Sequence, residues 1–113
     1  MSVAAALFVC LAASVVDGDT IRCQNLRAEA NGRVRLARID APERDEPRYE
    51  EATRYLATLI AGRIVECRLV DADPRQPGFQ PRDRFGRPVA RCYADGRDLQ
   101  QAMLASGLAK VWP

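Results

Sequence analysis

Three tight-turn signals, Asp17-Gly18-Asp19, Asn31-Gly32 and Asp95-Gly96, cut this chain into short apolar segments and commit much of it to hairpins. Residues 8–16 and 21–26 read as two strands joined at the first signal, and residues 34–39 as a third strand after the second. Pro42 ends that strand and holds Ala41 before it extended. Strands over 64–70 and 89–93 follow, the last closing at Asp95-Gly96. Residues 71–82, with Pro74, Pro77, Gly78 and Pro81, read as the loop between them.

Two segments carry a helical period instead. Ala52, Tyr55, Leu56, Leu59 and Ile60 recur at helix spacing, with Pro47 suited to the first turn and Gly62 to the stop. Asp98 is expected to cap a short second helix, with Gln101 three residues on, a stripe of Leu99, Ala102 and Met103, and Gly107 at its end. Three strands, a helix, two strands and a helix in 113 residues argue for one α+β domain over residues 1–113. Five strands of this length can close into a small barrel of the OB type, with an open sheet as the alternative.

Residues 3–16 are almost wholly apolar, as in a signal-peptide core, yet no Lys or Arg precedes them and they run straight into the first turn. We read residues 1–7 as the remnant of an export signal, which leads us to expect a secreted or periplasmic protein, with a cytoplasmic one as the alternative. No apolar stretch is long enough to lead us to expect stable membrane insertion. Cys10, Cys23, Cys67 and Cys92 lack the CxxC spacing of a zinc site. Their order suggests Cys10 with Cys23 and Cys67 with Cys92, each pair linking neighbouring strands; four buried, unpaired thiols are the alternative.

The net charge of +2 says little about partners, but the basic residues are sixteen arginines and a single lysine, Lys110. Guanidinium forks match phosphate oxygens two at a time, which an ammonium does not. The chain has no histidine. That removes the commonest general base and the commonest zinc ligand, leaving carboxylates for proton transfer and hard Ca²⁺ or Mg²⁺ as the metals its side chains suit.

Three polar strings at strand edges carry most of the chemical information: Asp17-Gly18-Asp19-Thr20, Arg35-Leu36-Ala37-Arg38-Ile39-Asp40-Ala41-Pro42-Glu43, and Asp83-Arg84-Phe85-Gly86-Arg87. Each has an ordinary structural explanation alone: Asp19 forms a turn, Asp40 caps a strand, and Glu43 opens a charged loop. Gly18 and Gly86 read as backbone requirements, for a tight turn or a close approach. Together the strings supply carboxylates for a metal, a further carboxylate for a base, and two arginines for a phosphate.

These strings, followed by Tyr93-Ala94-Asp95-Gly96 and Gly107-Leu108-Ala109-Lys110-Val111, resemble the staphylococcal nuclease (thermonuclease) family from about Val15 to Val111. The resemblance implies a five-stranded OB barrel with two or so attached helices. It assigns Asp19, Asp40 and the backbone carbonyl of Ala41 to a Ca²⁺ ion, with alanine standing where threonine also occurs. It makes Glu43 the general base and Arg35 and Arg87 the phosphate clamp. It points to Arg84, Phe85 and Trp112 as nucleic-acid contacts; Phe85 either stacks on a base or packs beneath its loop. The best-known members continue with two pocket-lining tyrosines and a long helix; here Trp112 and Pro113 follow Val111, which bears on substrate affinity more than on catalysis.

The function implied is a Ca²⁺-dependent endonuclease that hydrolyses DNA and RNA by attack of metal-activated water. Its contacts address phosphates, so little sequence preference is expected, and unstructured or single-stranded substrates and a monomeric enzyme fit best. A non-catalytic OB-type module binding nucleic acid or protein is the alternative, against which stands the presence of Asp19, Arg35, Asp40, Glu43 and Arg87 together. A nuclease-like domain turned to another phosphodiester is a second alternative.

Overall fold

The computed structural model describes residues 7–112. Its strands are β1 (Leu7–Cys10), β2 (Ser14–Asp17), β3 (Thr20–Arg22), β4 (Arg33–Leu36), β5 (Ile39–Asp40), β6 (Val65–Leu69), β7 (Val89–Ala94), β8 (Arg97–Asp98) and β9 (Lys110–Val111). Helix α1 (Tyr49–Ile60) lies between β5 and β6, and α2 (Leu99–Ala105) between β8 and β9. The main sheet has the order β1-β6-β7-β4-β3-β2, with β8 beside β7; β5 and β9 form a separate two-stranded ladder.

The α+β class and the two helices agree with the sequence, but the five-stranded barrel does not appear in this form. Three of the expected continuous strands are broken. The run 8–16 turns at Leu11 and Ala12, the latter at φ 47°, so β1 pairs with β6 while β2 pairs with β3. The run 21–26 passes after Arg22 into a 3-10 turn, Gln24–Leu26. The run 34–39 turns at Ala37 and Arg38, the latter at φ 65°, and its second half joins β9.

No ladder closes the sheet among the described residues, yet it is strongly curled. Its two edge strands, β1 and β2, are separated in the chain only by residues 11–13. Five interstrand steps in a flat sheet would part them by about 24 Å, whereas the linking residues reach only about 14 Å. Curling brings the inner face round a core in which Ile21, Val34, Leu36, Ile39, Leu56, Leu99 and Met103 are fully buried.

Helix α1 presents Ala52, Leu56, Leu59 and Ile60 to this core, in keeping with their spacing, and lies against β2. It starts two residues after Pro47, and Gly62 at φ 70° follows its end. Asp98 caps α2 by accepting the Gln101 N–H at 2.9 Å, as its position suggests. Gln100 is a departure: a polar residue 1% exposed inside the core. Its amide accepts from the Cys92 N–H at 2.9 Å and donates to the Cys92 carbonyl at 3.0 Å. It thus extends the β7 ladder with a side chain and leaves no buried polar group unpaired there.

All four cysteines form disulfides, Cys10–Cys23 and Cys67–Cys92, so the paired alternative holds. The second joins residues directly opposite each other on β6 and β7. Each closes a loop in the unfolded chain and contributes about 2–4 kcal/mol on the chain-entropy account. Of the expected export-signal remnant, residues 1–6 lie outside the described residues, and Leu7 belongs to β1. Among the described residues no helix is long and apolar enough to cross a membrane.

Candidate active site

The hairpin β2–β3 sets Asp19 in place. A register shift between Val15 and Asp17 bulges the strand before the turn, and the Asp17 carboxylate then accepts the Asp19 N–H at 3.1 Å. Gly18 is needed for packing: a Cβ there would lie 2.7 Å from the Ala41 Cβ and 2.9 Å from the Ala52 Cβ. The turn therefore fits against both the 35–43 string and helix α1. One Asp19 oxygen accepts the Ala41 N–H at 2.9 Å and the other the Thr20 hydroxyl at 3.1 Å.

Asp19 is 6% exposed, and burial pushes its carboxyl from 3.8 to about 6, against the opposing pull of Arg35 and with a further push from Asp17. Arg35 enters from β4, opposite Thr20 in the ladder. One terminal nitrogen donates to the carbonyls of Leu36 and Ile39 at 2.8 and 2.9 Å. The other lies 3.5 Å from Asp19 and 4.0 Å from Asp40. Two carboxylates from separate strings thus converge on one guanidinium nitrogen.

Arg87 arrives by a different route. Strand β7 runs parallel to β4 with Val89 opposite Arg35, so the residues entering β7 come alongside the site. Asp83 organises them: it accepts from the N–H groups of Phe85 and Arg87 at 3.0 and 2.9 Å and pairs with the Arg87 Nε at 2.8 Å. Gly86, at φ 81°, takes the left-handed position of this turn with open space beside it. A terminal nitrogen of Arg87 donates to the Thr20 hydroxyl at 3.4 Å.

Glu43 stands on the loop after Pro42. Its own backbone is tied into a turn, the N–H donating to the Glu46 carboxylate at 2.6 Å and the carbonyl accepting the Glu46 N–H at 2.8 Å. Its side chain, with those of Asp19, Arg35, Arg87 and Phe85, lines an open cavity of about 560 Å³. Asp17 and Arg33 line it too, two residues that motif reading did not single out. The signal for Arg33 lay in plain alternation: two residues before Arg35, it shares that residue's face of β4.

The other expected contacts lie outside this cavity. Asp40 and Ala41 line a neighbouring one with Lys110, whose ammonium is 4.0 Å from Asp40; Arg35 is the bridge between the two cavities. Arg84 and Trp112 line a third, of about 510 Å³, which shares Arg35, Phe85 and Arg87 with the first. Phe85 is 62% exposed rather than packed beneath its loop, with the guanidiniums of Arg84 and Arg87 at 4.9 and 5.3 Å from its ring. The Trp112 ring is faced by Arg75 at 5.0 Å.

The donor set suits a hard cation. Among the described residues no three His, Cys, Asp or Glu side chains gather as a metal cluster, so an ion held by Asp19 and Asp40 would complete its shell with backbone carbonyls and water. The negative charge forced into a buried position at Asp19, beside Asp17, is what a divalent ion would relieve.

Residues 33–113 match the family model described as staphylococcal nuclease homologue. The chain is similar to an uncharacterized endonuclease of Escherichia coli O157:H7, 36% identical over 99 residues, or 87% of this chain and 57% of that protein. It is similar to endonuclease YncB of Bacillus subtilis (strain 168), 30% identical over 105 residues, or 85% of this chain and 44% of that protein. It is also similar to the staphylococcal-like nuclease CAN1 of Arabidopsis thaliana, 35% identical over 77 residues, covering 68% of this chain and 21% of that protein. The chain therefore spans about three-fifths to one-fifth of the length of these relatives.

Proposed function

The chain belongs to the staphylococcal nuclease family, and from that membership we propose that it is a metal-dependent nuclease, a hydrolase of phosphodiester bonds in DNA and RNA with little sequence preference. The observation that carries this reading is the convergence of Asp19, Arg35, Glu43 and Arg87 on one open cavity. Asp19 and Asp40, with the Ala41 carbonyl, would hold the cation, and Ca²⁺ is our choice because every donor is a hard oxygen and none is histidine or thiolate. When bound, the ion supplies Lewis acidity toward a phosphate oxygen and lowers the pKa of a water.

Glu43 takes the proton of the attacking water as the water oxygen bonds to phosphorus and the P–O bond opposite it breaks, the departing alkoxide taking its proton from solvent water. Charge then builds on the equatorial oxygens, where Arg35 and Arg87 are already fixed by Leu36, Ile39 and Asp83. Donors fixed before the reaction stabilise that charge without reorganising, so they bind the transition state better than the substrate. The contacts address phosphate, which is why we assign little base preference and favour unstructured strands, whose backbone reaches an open cavity without duplex melting. Arg84, Phe85 and Trp112 would line the path of the strand. We further assign residues 1–113 to one domain that acts as a monomer, in a secreted or periplasmic setting, a location in keeping with two disulfides.

Incubation with heat-denatured DNA and with RNA tests this directly. Cleavage of both in Ca²⁺, abolished by excess chelator and restored by added Ca²⁺, is the expected result. Tight strand binding without turnover in any divalent ion would contradict it and make the protein a binding module.

A further inference from the structure

Among the described residues, Arg33 is the cation of the candidate-site cavity whose terminal nitrogens have no partner. The two clamp arginines spend their nitrogens on protein: Arg35 on Leu36, Ile39 and Asp19, and Arg87 on Asp83 and Thr20. Arg33 lines the same cavity, but only its Nε is engaged, donating to the Ala30 carbonyl at 3.2 Å. Its two terminal nitrogens have neither a hydrogen-bond nor an ion-pair partner among the described residues, and neither is a buried orphan. The Ala30 bond fixes the direction of the guanidinium while leaving its outer edge free for a ligand.

The ladder shows where that edge lies. Across β2, β3 and β4 one row reads Asp17, Thr20, Arg35 and a second reads Ser14, Arg22, Arg33. Val34, between the arginines of β4, faces the core, so Arg33 and Arg35 share the outer face. The rows are two residues apart, about 7 Å. That is close to the separation of successive phosphates on an extended strand. The first row contains the metal-side turn; the second has no carboxylate and a second arginine, Arg22, held by the Asn31 carbonyl at 3.0 Å. Asp17 borders the cavity but belongs to the first row and makes no ion pair with Arg33 among the described residues.

We propose that Arg33 forms a second phosphate subsite, which binds the phosphate next to the one being cleaved and makes this chain prefer polynucleotides to isolated phosphodiesters. The proposal rests on the nuclease reading for its scissile phosphate, but the subsite is defined by binding and is separable from turnover. Arg22 continues the same row and would serve the strand beyond.

Two measurements decide it. The first follows cleavage of single-stranded oligonucleotides in which a linkage flanking the cleaved one is either phosphate or neutral methylphosphonate, with bis(4-nitrophenyl) phosphate as the diester that has no neighbour. The wild-type protein should lose about tenfold in kcat/KM when one of the two flanking linkages is neutral, the scale of one charge-assisted hydrogen-bond pair. Arg33→Ala should be indifferent to that change, and its loss on the oligonucleotide should exceed its loss on the small diester by a similar factor. Equal losses on both substrates, or full sensitivity to methylphosphonate in Arg33→Ala, would overturn the proposal.

The second measurement follows the binding of a fluorescent single strand to Glu43→Gln protein in Ca²⁺ as salt is raised. Adding Arg33→Ala should flatten the slope of log affinity against log salt by about 0.7, the release expected for one phosphate contact on a single strand. An unchanged slope would overturn the subsite whether or not the wild type cleaves. A flattened slope in a protein without turnover would support it while defeating the nuclease reading.

Discussion

The two glycine-containing turns of the candidate site are held in opposite ways. The Asp17–Thr20 turn has its own Asp17 carboxylate bond to the Asp19 N–H but is fixed chiefly by what surrounds it: Gly18 has Ala41 and Ala52 against it, and Asp19 is buried under the Ala41 N–H and the Arg35 guanidinium. The Asp83–Arg87 turn is fixed by itself: one carboxylate collects the N–H groups of Phe85 and Arg87 and the Arg87 Nε, and Gly86 has open space beside it. The first turn stores an electrostatic cost in its carboxylate, and the second carries a satisfied ion pair near the surface. A site that must bind a cation on one side and a changing phosphate charge on the other has use for both. On the proposed reading, the buried Asp19 turn would face the cation and the Asp83–Arg87 turn the phosphate.

Substituting the two glycines breaks this comparison most sharply. Gly18→Ala forces a methyl into Ala41 and Ala52 and should cost about 1–3 kcal/mol of unfolding free energy, with activity falling in step as Asp19 is displaced. Gly86→Ala meets no neighbour and should cost only about 1 kcal/mol, from its left-handed backbone. Denaturant midpoints at equal m-values measure both. A larger loss at Gly86 would show that the second turn, too, is held by tertiary packing.

The buried carboxyl sharpens the comparison through pH. Folding raises Asp19 from 3.8 to about 6, so the native state binds its proton more tightly than the unfolded chain does. The stability this group contributes is therefore full below about pH 4 and lost as pH rises through about 6, a change on the order of 2–3 kcal/mol. Asp19→Asn should remove that pH dependence and raise metal-free stability at pH 7, while abolishing stabilisation by Ca²⁺. A thermal unfolding series with and without Ca²⁺ reads all three effects. A metal-free Asn variant less stable than wild type at pH 7 would show that the Arg35 contact outweighs burial.

The same contrast explains what the sequence made legible. The Asp83 turn, the Asp98 cap and the apolar spacing of α1 are local devices, and each can be read from a few consecutive residues. The breaks at Ala12 and Arg38 cannot, because neither residue favours a left-handed backbone; tertiary pairing imposes it. Those breaks split single apolar runs between different partners, which is why five continuous strands were expected. Gln100 escaped notice because its partners are the backbone groups of Cys92, which only the packing of α2 against β7 brings to it. In the candidate site, motif resemblance picked out Asp19, Arg35, Glu43 and Arg87, which line one cavity. It passed over Asp17, read only as part of a turn, and Arg33, which lies outside the three strings. It assigns Asp40 to the cation together with Asp19; the two carboxylates approach the same Arg35 nitrogen at 4.0 and 3.5 Å, and Asp40 also borders the neighbouring cavity.

On the proposed reading, Glu43 would do chemistry on a scaffold that binds without it. Its carboxylate is exposed and its loop is held by backbone and Glu46, so removing the charge leaves the fold and the cation ligands in place. Single-turnover cleavage of a labelled strand by wild type and Glu43→Gln, with Ca²⁺ and strand affinities measured on both proteins, tests it most directly. The variant's rate should be lower by about 10²–10⁴-fold, with both affinities and the unfolding midpoint essentially unchanged. Equal cleavage rates in the two proteins would contradict it.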